Sequence, residues 1–173
     1  MSKKKNKSYL IWITGLSGSG KTSIAKRIFP YIRKKIGPTI MINGDDLRSI
    51  LNLFGYDKKT RFDNGIKFSN LFKFIIDQNI NILFAGAGLF HKLRAHNKRN
   101  IKNYIEIYIK SEVSTIVKNK KKSRVYKLNK NIYGIDIKPE LPKNPNITIV
   151  NNYDQSINQL SKLLIRQLKK KLT

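Results

Sequence analysis

Residues 15–22 read Gly-Leu-Ser-Gly-Ser-Gly-Lys-Thr, and what flanks that octet leaves few folds open. Before it, Tyr9 to Thr14 is a continuous apolar, β-rich run, the pattern of a strand buried on both faces. After it, Ile24, Ile28 and Ile32 recur at helical spacing between Ser23 and Lys35. Strand, glycine loop and helix in that order make a phosphate cradle. Glycines let backbone N–H groups converge on phosphate oxygens at a helix N-terminus, whose partial positive charge already favours an anion. Gly15, Gly20, Lys21 and Thr22 fill every fixed position of the Gly-x-x-x-x-Gly-Lys-Thr loop of nucleoside triphosphate binders. The run Gly15, Leu16, Ser17, Gly18, Ser19, Gly20, Lys21, Thr22 is therefore expected to wrap ATP or GTP. In this reading Lys21 bridges the β- and γ-phosphates and the Thr22 hydroxyl ligates Mg²⁺.

The remaining chain alternates in the same way. Strands are expected at Thr39 to Asn43, Asn81 to Ala85, Asn103 to Lys110 and Asn146 to Val150, with helices over Asp45 to Leu53, Arg61 to Gln78, Leu89 to Asn100 and Tyr153 to Lys171. Such alternation predicts an α/β domain of the P-loop nucleoside triphosphate hydrolase fold: a parallel sheet of about five strands, helices on both faces, and ligands at the carboxyl ends of the strands. One domain spans residues 1–173, with a basic tail at 1–8 and a C-terminal helix in 153–173. Lys118 to Pro145 breaks the pattern, being Lys- and Asn-rich with little periodicity. A polar segment of that length in a compact domain reads as a functional lid, with disorder as the alternative.

What accepts the phosphoryl group needs a second constellation, and it begins at Asn43-Gly44-Asp45-Asp46-Leu47-Arg48. A carboxylate just past the second strand faces the glycine loop across the sheet end, where it can orient Mg²⁺ or take a proton from an attacking hydroxyl. Asp45 is the candidate, with helix capping as its other reading and Asp46 as the residue serving the helix terminus. Arg48, Arg61 and Asn64 follow. The last two lie three apart on one helical face and can converge on a ligand, unless Arg61 belongs to a surface ion pair. Tyr56 can stack on a base or pack in the core.

The formal charge of +26, from 36 Lys and Arg against 10 Asp and Glu, first suggests a polyanionic partner. However, 28 of the basic residues are Lys and 8 are Arg, beside 26 Ile and 18 Asn, which is the composition A/T-rich codons write. Most of the charge is then background, and the chain is not expected to bind nucleic acid. The absence of cysteine excludes disulfides, thiol catalysis and Cys-based zinc sites. The longest apolar run, Tyr9 to Ile13, is of strand length, so no membrane span is expected, and the start lacks a signal-peptide pattern. A cytoplasmic protein is expected; a homodimer is left open.

Taken together, Gly-Leu-Ser-Gly-Ser-Gly-Lys-Thr, the Asn-Gly-Asp-x-x-Arg box, the Phe54-Gly55-Tyr56 turn, Arg61-x-x-Asn64, Tyr126-Lys127 and Gly134-Ile135-Asp136 resemble the adenylylsulfate kinases, collinearly from about Trp12 to Pro142. That resemblance implies ATP-dependent phosphorylation of the ribose 3′-hydroxyl of a nucleotide whose 5′ phosphate bears a small anion. It implies catalytic roles for Lys21 and Asp45, acceptor-binding roles for Arg48, Tyr56, Arg61, Asn64, Gly88, Leu89 and Lys127, and a base-stacking role for Tyr133. Lys118 to Pro142 corresponds to the family's lid.

Departures cluster on the acceptor side. The family's first box aspartate is Asn43, and its Ile-Ser-Pro run is Ala87-Gly88-Leu89, so the serine able to carry phosphate is missing. The whole chain looks like the cytidine diphosphoramidate kinase branch, which implies cytidine diphosphoramidate as acceptor in making capsular O-methyl phosphoramidate. An adenylylsulfate kinase of sulfate assimilation is the alternative; a basic nucleic-acid-binding module that keeps the loop is another. His91 and His96, five apart, lack the spacing of a paired metal site. Lys92, Arg94, Lys98 and Arg99 read as a solvated face, with contact to a ligand as the alternative for Arg94, and Lys120 to Lys122, Arg124 and Lys127 as lid cations over phosphates.

Overall fold

β1 (Leu10–Thr14) is buried at all five positions because it runs through the middle of a five-stranded sheet. A computed structural model describes residues 7–119, 126 and 130–172. In chain order the elements after β1 are α1 (Lys21–Ile36), β2 (Thr39–Asn43), α2 (Gly44–Ile50), α3 (Lys58–Asp77), β3 (Asn81–Ala85) and α4 (His91–Asn100). They continue with β4 (Tyr104–Lys110), α5 (Val113–Lys118), β5 (Ile147–Val150) and α6 (Ile157–Lys169). Every strand pairing is parallel, and the order across the sheet is β2-β3-β1-β4-β5.

Side chains alternate across the sheet, so β1 feeds two cores. Ile11 and Ile13 face α1 and α6, packing with Ile24, Ile28, Leu160 and Leu164. Leu10 and Trp12 face α3 and α4, packing with Phe68, Phe72, Phe84 and Leu93. This is the expected sheet with helices on both faces. β2 and β3 fall at the bounds their apolar runs predict.

Three expectations shift. The last helix starts at Ile157 and not Tyr153, because Ser156 and Gln159 form a reciprocal capping box while Tyr153 sits at φ +64°. The 118–145 segment is not uniformly a cover: Ile132, Tyr133 and Ile137 are buried in the second core, and α5 precedes it where no helix was expected. Arg94 is no part of a solvated face. It is 6% exposed, its Nε lies 3.4 Å from Oε1 of buried Glu106, and it donates to the carbonyls of Glu140 (2.6 Å) and Leu141 (3.2 Å). It ties α4, β4 and the last part of the 118–145 segment together. Residues 1–6 of the tail expected at 1–8 and lid residues Lys120 to Lys122, Arg124 and Lys127 lie outside the described residues. Among the described residues, no helix is long and apolar enough to cross a membrane.

Candidate active site

At the carboxyl end of β1 the chain turns at Gly15, whose φ of +148° and approach to Ile109 leave no room for a side chain: a Cβ there would stand 2.5 Å from the Ile109 carbonyl oxygen. The loop then runs into α1, with Lys21 and Thr22 in its first turn. Lys21 Nζ donates to the Leu16 carbonyl at 2.7 Å. Burial pushes the Lys21 pKa down to about 8, against the opposing pull of the Asp45 carboxylate.

A cleft of about 750 Å³ opens over this loop. Its walls join Lys21 and Thr22 to Asp45, Arg48, Tyr56 and Arg61, together with Gly88 and Tyr133. The N-cap position of α2 is held by Asn43, and Asp45 stands in the helix's first turn, so the capping position read as its alternative falls to another residue. Arg48 donates to the Gly55 carbonyl at 3.2 Å, while Arg61 donates to the carbonyls of Tyr56 (2.6 Å) and Asn131 (2.9 Å). Both guanidiniums lie over the Tyr56 ring, at 5.1 and 5.0 Å from its centroid. Tyr56 is 48% exposed and therefore no core residue. Among the described residues neither arginine is in an ion pair; carbonyls and rings hold the two positive charges, and the Asp45 carboxylate acts on Arg61 from further off. Burial lowers the Arg61 pKa, with Tyr133 pulling the other way and the neighbouring Arg48 adding to the drop.

Three expected acceptor residues are placed differently. Tyr133 is 1% exposed, with Arg61 4.7 Å over its ring and Phe90 edge-on at 6.0 Å. Its surface is already taken, which makes it a platform for Arg61. Leu89 is wholly buried and is no part of the cleft wall, and Asn64 is 3% exposed behind it, with its Nδ2 unpartnered among the described residues. Only Arg61 of the Arg-x-x-Asn pair opens into the cleft.

For Mg²⁺ the donor set fits. The Thr22 hydroxyl donates to Asn43 Oδ1 at 3.2 Å, leaving its lone pairs for a cation. Among the described residues no group of three His, Asp or Glu could hold a metal alone. A cation here would share Thr22 with phosphate oxygens and water, the usual Mg²⁺ arrangement.

Other contacts were not legible beforehand. Tyr126, Asn151 and Tyr153 bind carbonyls of the loop, and Trp12 lines the cleft while its indole donates to the Gly86 carbonyl at 3.0 Å. A second concavity of about 280 Å³, walled by Gly20, Ser23, Asn119, Asn151, Tyr153 and Ser156, adjoins the far side of the loop.

A triphosphate loop at the end of a central parallel strand, sharing its cleft with a carboxylate and two arginines, defines the P-loop kinase class. Within it, the chain belongs to the adenylylsulphate kinase family, whose model matches residues 7–150. It is 33% identical over 168 residues to a cytidine diphosphoramidate kinase of Campylobacter jejuni, covering 95% of this chain and 98% of that one. It is 31% identical over 175 residues to an adenylyl-sulfate kinase of Thermodesulfovibrio yellowstonii, covering 96% of this chain and 86% of that one. Among solved structures, the APS kinase of Mycobacterium tuberculosis in complex with AMPPNP and APS superimposes with a TM-score of 0.75 at 25% identity, covering 94% of this chain and 98% of that one. The chain is a kinase of this family.

Proposed function

We propose that this kinase transfers the γ-phosphoryl group of ATP to the ribose 3′-hydroxyl of a nucleotide carrying a small anionic 5′ group, cytidine diphosphoramidate being the acceptor. The observation that carries the reading is the shared cleft: Lys21 on one side, Arg48 and Arg61 on the other, and Asp45 in the same wall. Two anionic ligands could be held there with a carboxylate beside the point of transfer. The acceptor oxygen bonds to the γ-phosphorus, the bond to the ADP oxygen breaks, and Asp45 takes or orients the hydroxyl proton. Lys21 stabilises charge on the transferred group, and Arg48 and Arg61, lying over the half-exposed Tyr56 ring, hold the acceptor's anionic end. Mg²⁺, when bound, would neutralise charge across the β- and γ-phosphates.

The choice of acceptor is supported by the Campylobacter jejuni relative and by Ala87-Gly88-Leu89, where a phosphate-carrying serine is absent. Such a role would place the enzyme in capsule assembly in the cytoplasm. Adenylyl sulfate is the second reading, supported by the Thermodesulfovibrio yellowstonii relative. The protein is to be incubated with ATP, Mg²⁺ and each acceptor, with products resolved by ³¹P NMR. Phosphorylation of cytidine diphosphoramidate at its 3′-hydroxyl with the higher kcat/KM is expected, and a higher value for adenylyl sulfate would move the assignment to that acceptor. Asp45→Asn should lower kcat by about 10²- to 10⁴-fold; an unchanged kcat would remove Asp45 from the chemistry.

A further inference from the structure

Four successive carbonyls of the phosphate loop each meet a different side-chain donor. Leu16 is met by Lys21 Nζ (2.7 Å), Ser17 by the Tyr126 hydroxyl (2.9 Å), Gly18 by the Tyr153 hydroxyl (2.6 Å) and Ser19 by Asn151 Nδ2 (2.9 Å). A cradle for phosphate needs its N–H groups pointing inward, and a peptide plane that turns its N–H in turns the neighbouring carbonyl out. A glycine-rich loop has many other peptide orientations open to it. Each fixed carbonyl removes some of them.

We infer that Tyr126, Tyr153 and Asn151 are positioning residues that hold the phosphate loop in its ligand-ready form from outside. They come from two distant parts of the chain. Asn151 and Tyr153 follow β5, and the Asn151 side chain also accepts from the Tyr153 N–H at 3.0 Å, which fixes the pair as one unit. Tyr126 belongs to the segment read as a lid. Burial raises the Tyr126 pKa to about 12 and that of Tyr153 in the same direction, so both hydroxyls keep their protons to donate throughout neutral pH.

The inference rests on the loop being the nucleotide site, and its test separates the two. Affinity for ADP with Mg²⁺ is measured by calorimetry, and backbone amide exchange at residues 17–22 is followed in the ligand-free protein. Tyr126→Phe and Tyr153→Phe should each weaken ADP binding about fivefold, the worth of one hydrogen bond, and raise KM for ATP alike with the acceptor KM unmoved. Loop amides should exchange faster in both variants without ligand. Tyr31→Phe is the control, since the Tyr31 hydroxyl is buried on α1 without a partner among the described residues; it should alter neither quantity. Wild-type protein that fails to bind ADP would refute the nucleotide reading, while loop exchange would still decide the clamp. Unchanged affinity and exchange in both phenylalanine variants would overturn the clamp, as would a loss of thermal stability alone.

Discussion

Lys21 offers a prediction with a number attached. Its ammonium is held near a pKa of about 8, lowered chiefly by burial. A polyphosphate in the loop supplies several negative charges at contact distance and should return the pKa to 10.5 or above. Nucleotide binding must then draw a proton from solvent. At pH 8 about half of the free sites are neutral, so about 0.5 proton is taken up per ADP bound, rising to about 0.9 at pH 9 and falling to about 0.1 at pH 7. The terminal phosphate, with a pKa of about 6, has already lost its own proton at pH 8. Calorimetric titration with ADP and Mg²⁺ in two buffers of different ionisation heat gives the count directly. Lys21→Arg keeps the charge at every pH tested and should take up none. The same shift fixes a sign for stability: between pH 8 and 10.5 the unfolded chain binds more protons, so the ligand-free fold gains from this residue as pH rises, by about 3 kcal/mol at most. Uptake near zero at both pH 8 and pH 9, or uptake equal in wild type and Lys21→Arg, would refute the reasoning.

Two further substitutions test the frame around the cleft. Arg94→Met strands the Glu106 carboxylate in the core and should cost about 3–5 kcal/mol in urea unfolding, most of it recovered in Arg94→Met/Glu106→Leu; a single-variant loss below about 1 kcal/mol would show that the pair is not sustained. Gly88→Ser restores the family's serine, but at φ +49° its Cβ would meet the Trp12 ring at 2.6 Å. A loss of about 1–3 kcal/mol is expected, with no phosphoserine detected by mass spectrometry after ATP treatment.

Much of this was readable in advance where local chemistry dictates local form. β2 and β3 end where their apolar runs end, and the glycine loop can only be a loop. Residues whose roles depend on distant partners were harder. Arg94 looks like one more cation on a basic helix until Glu106 is placed opposite; the available signal was a carboxylate between Ile105 and Ile107 in an apolar strand, a buried charge that demands a partner. Asn151 and Tyr153 carry no local pattern at all, because their targets lie more than 130 positions away. Tyr133 was expected as a ring for the base, whereas in the fold it is buried with Arg61 over its ring.

The position of β1 has an evolutionary consequence. With β3 on one side and β4 on the other, its end separates two neighbourhoods: β2, β3 and their following turns supply Asp45, Arg48 and Gly88, while the turn after β5 supplies Asn151 and Tyr153. Substitutions without shared partners act nearly independently, and the printed bonds of Asn151 and Tyr153 share no partner with those of Arg48. A lineage could thus exchange one phosphoryl acceptor for another by editing half of the sheet's rim, and leave the machinery for the common currency of the cell untouched.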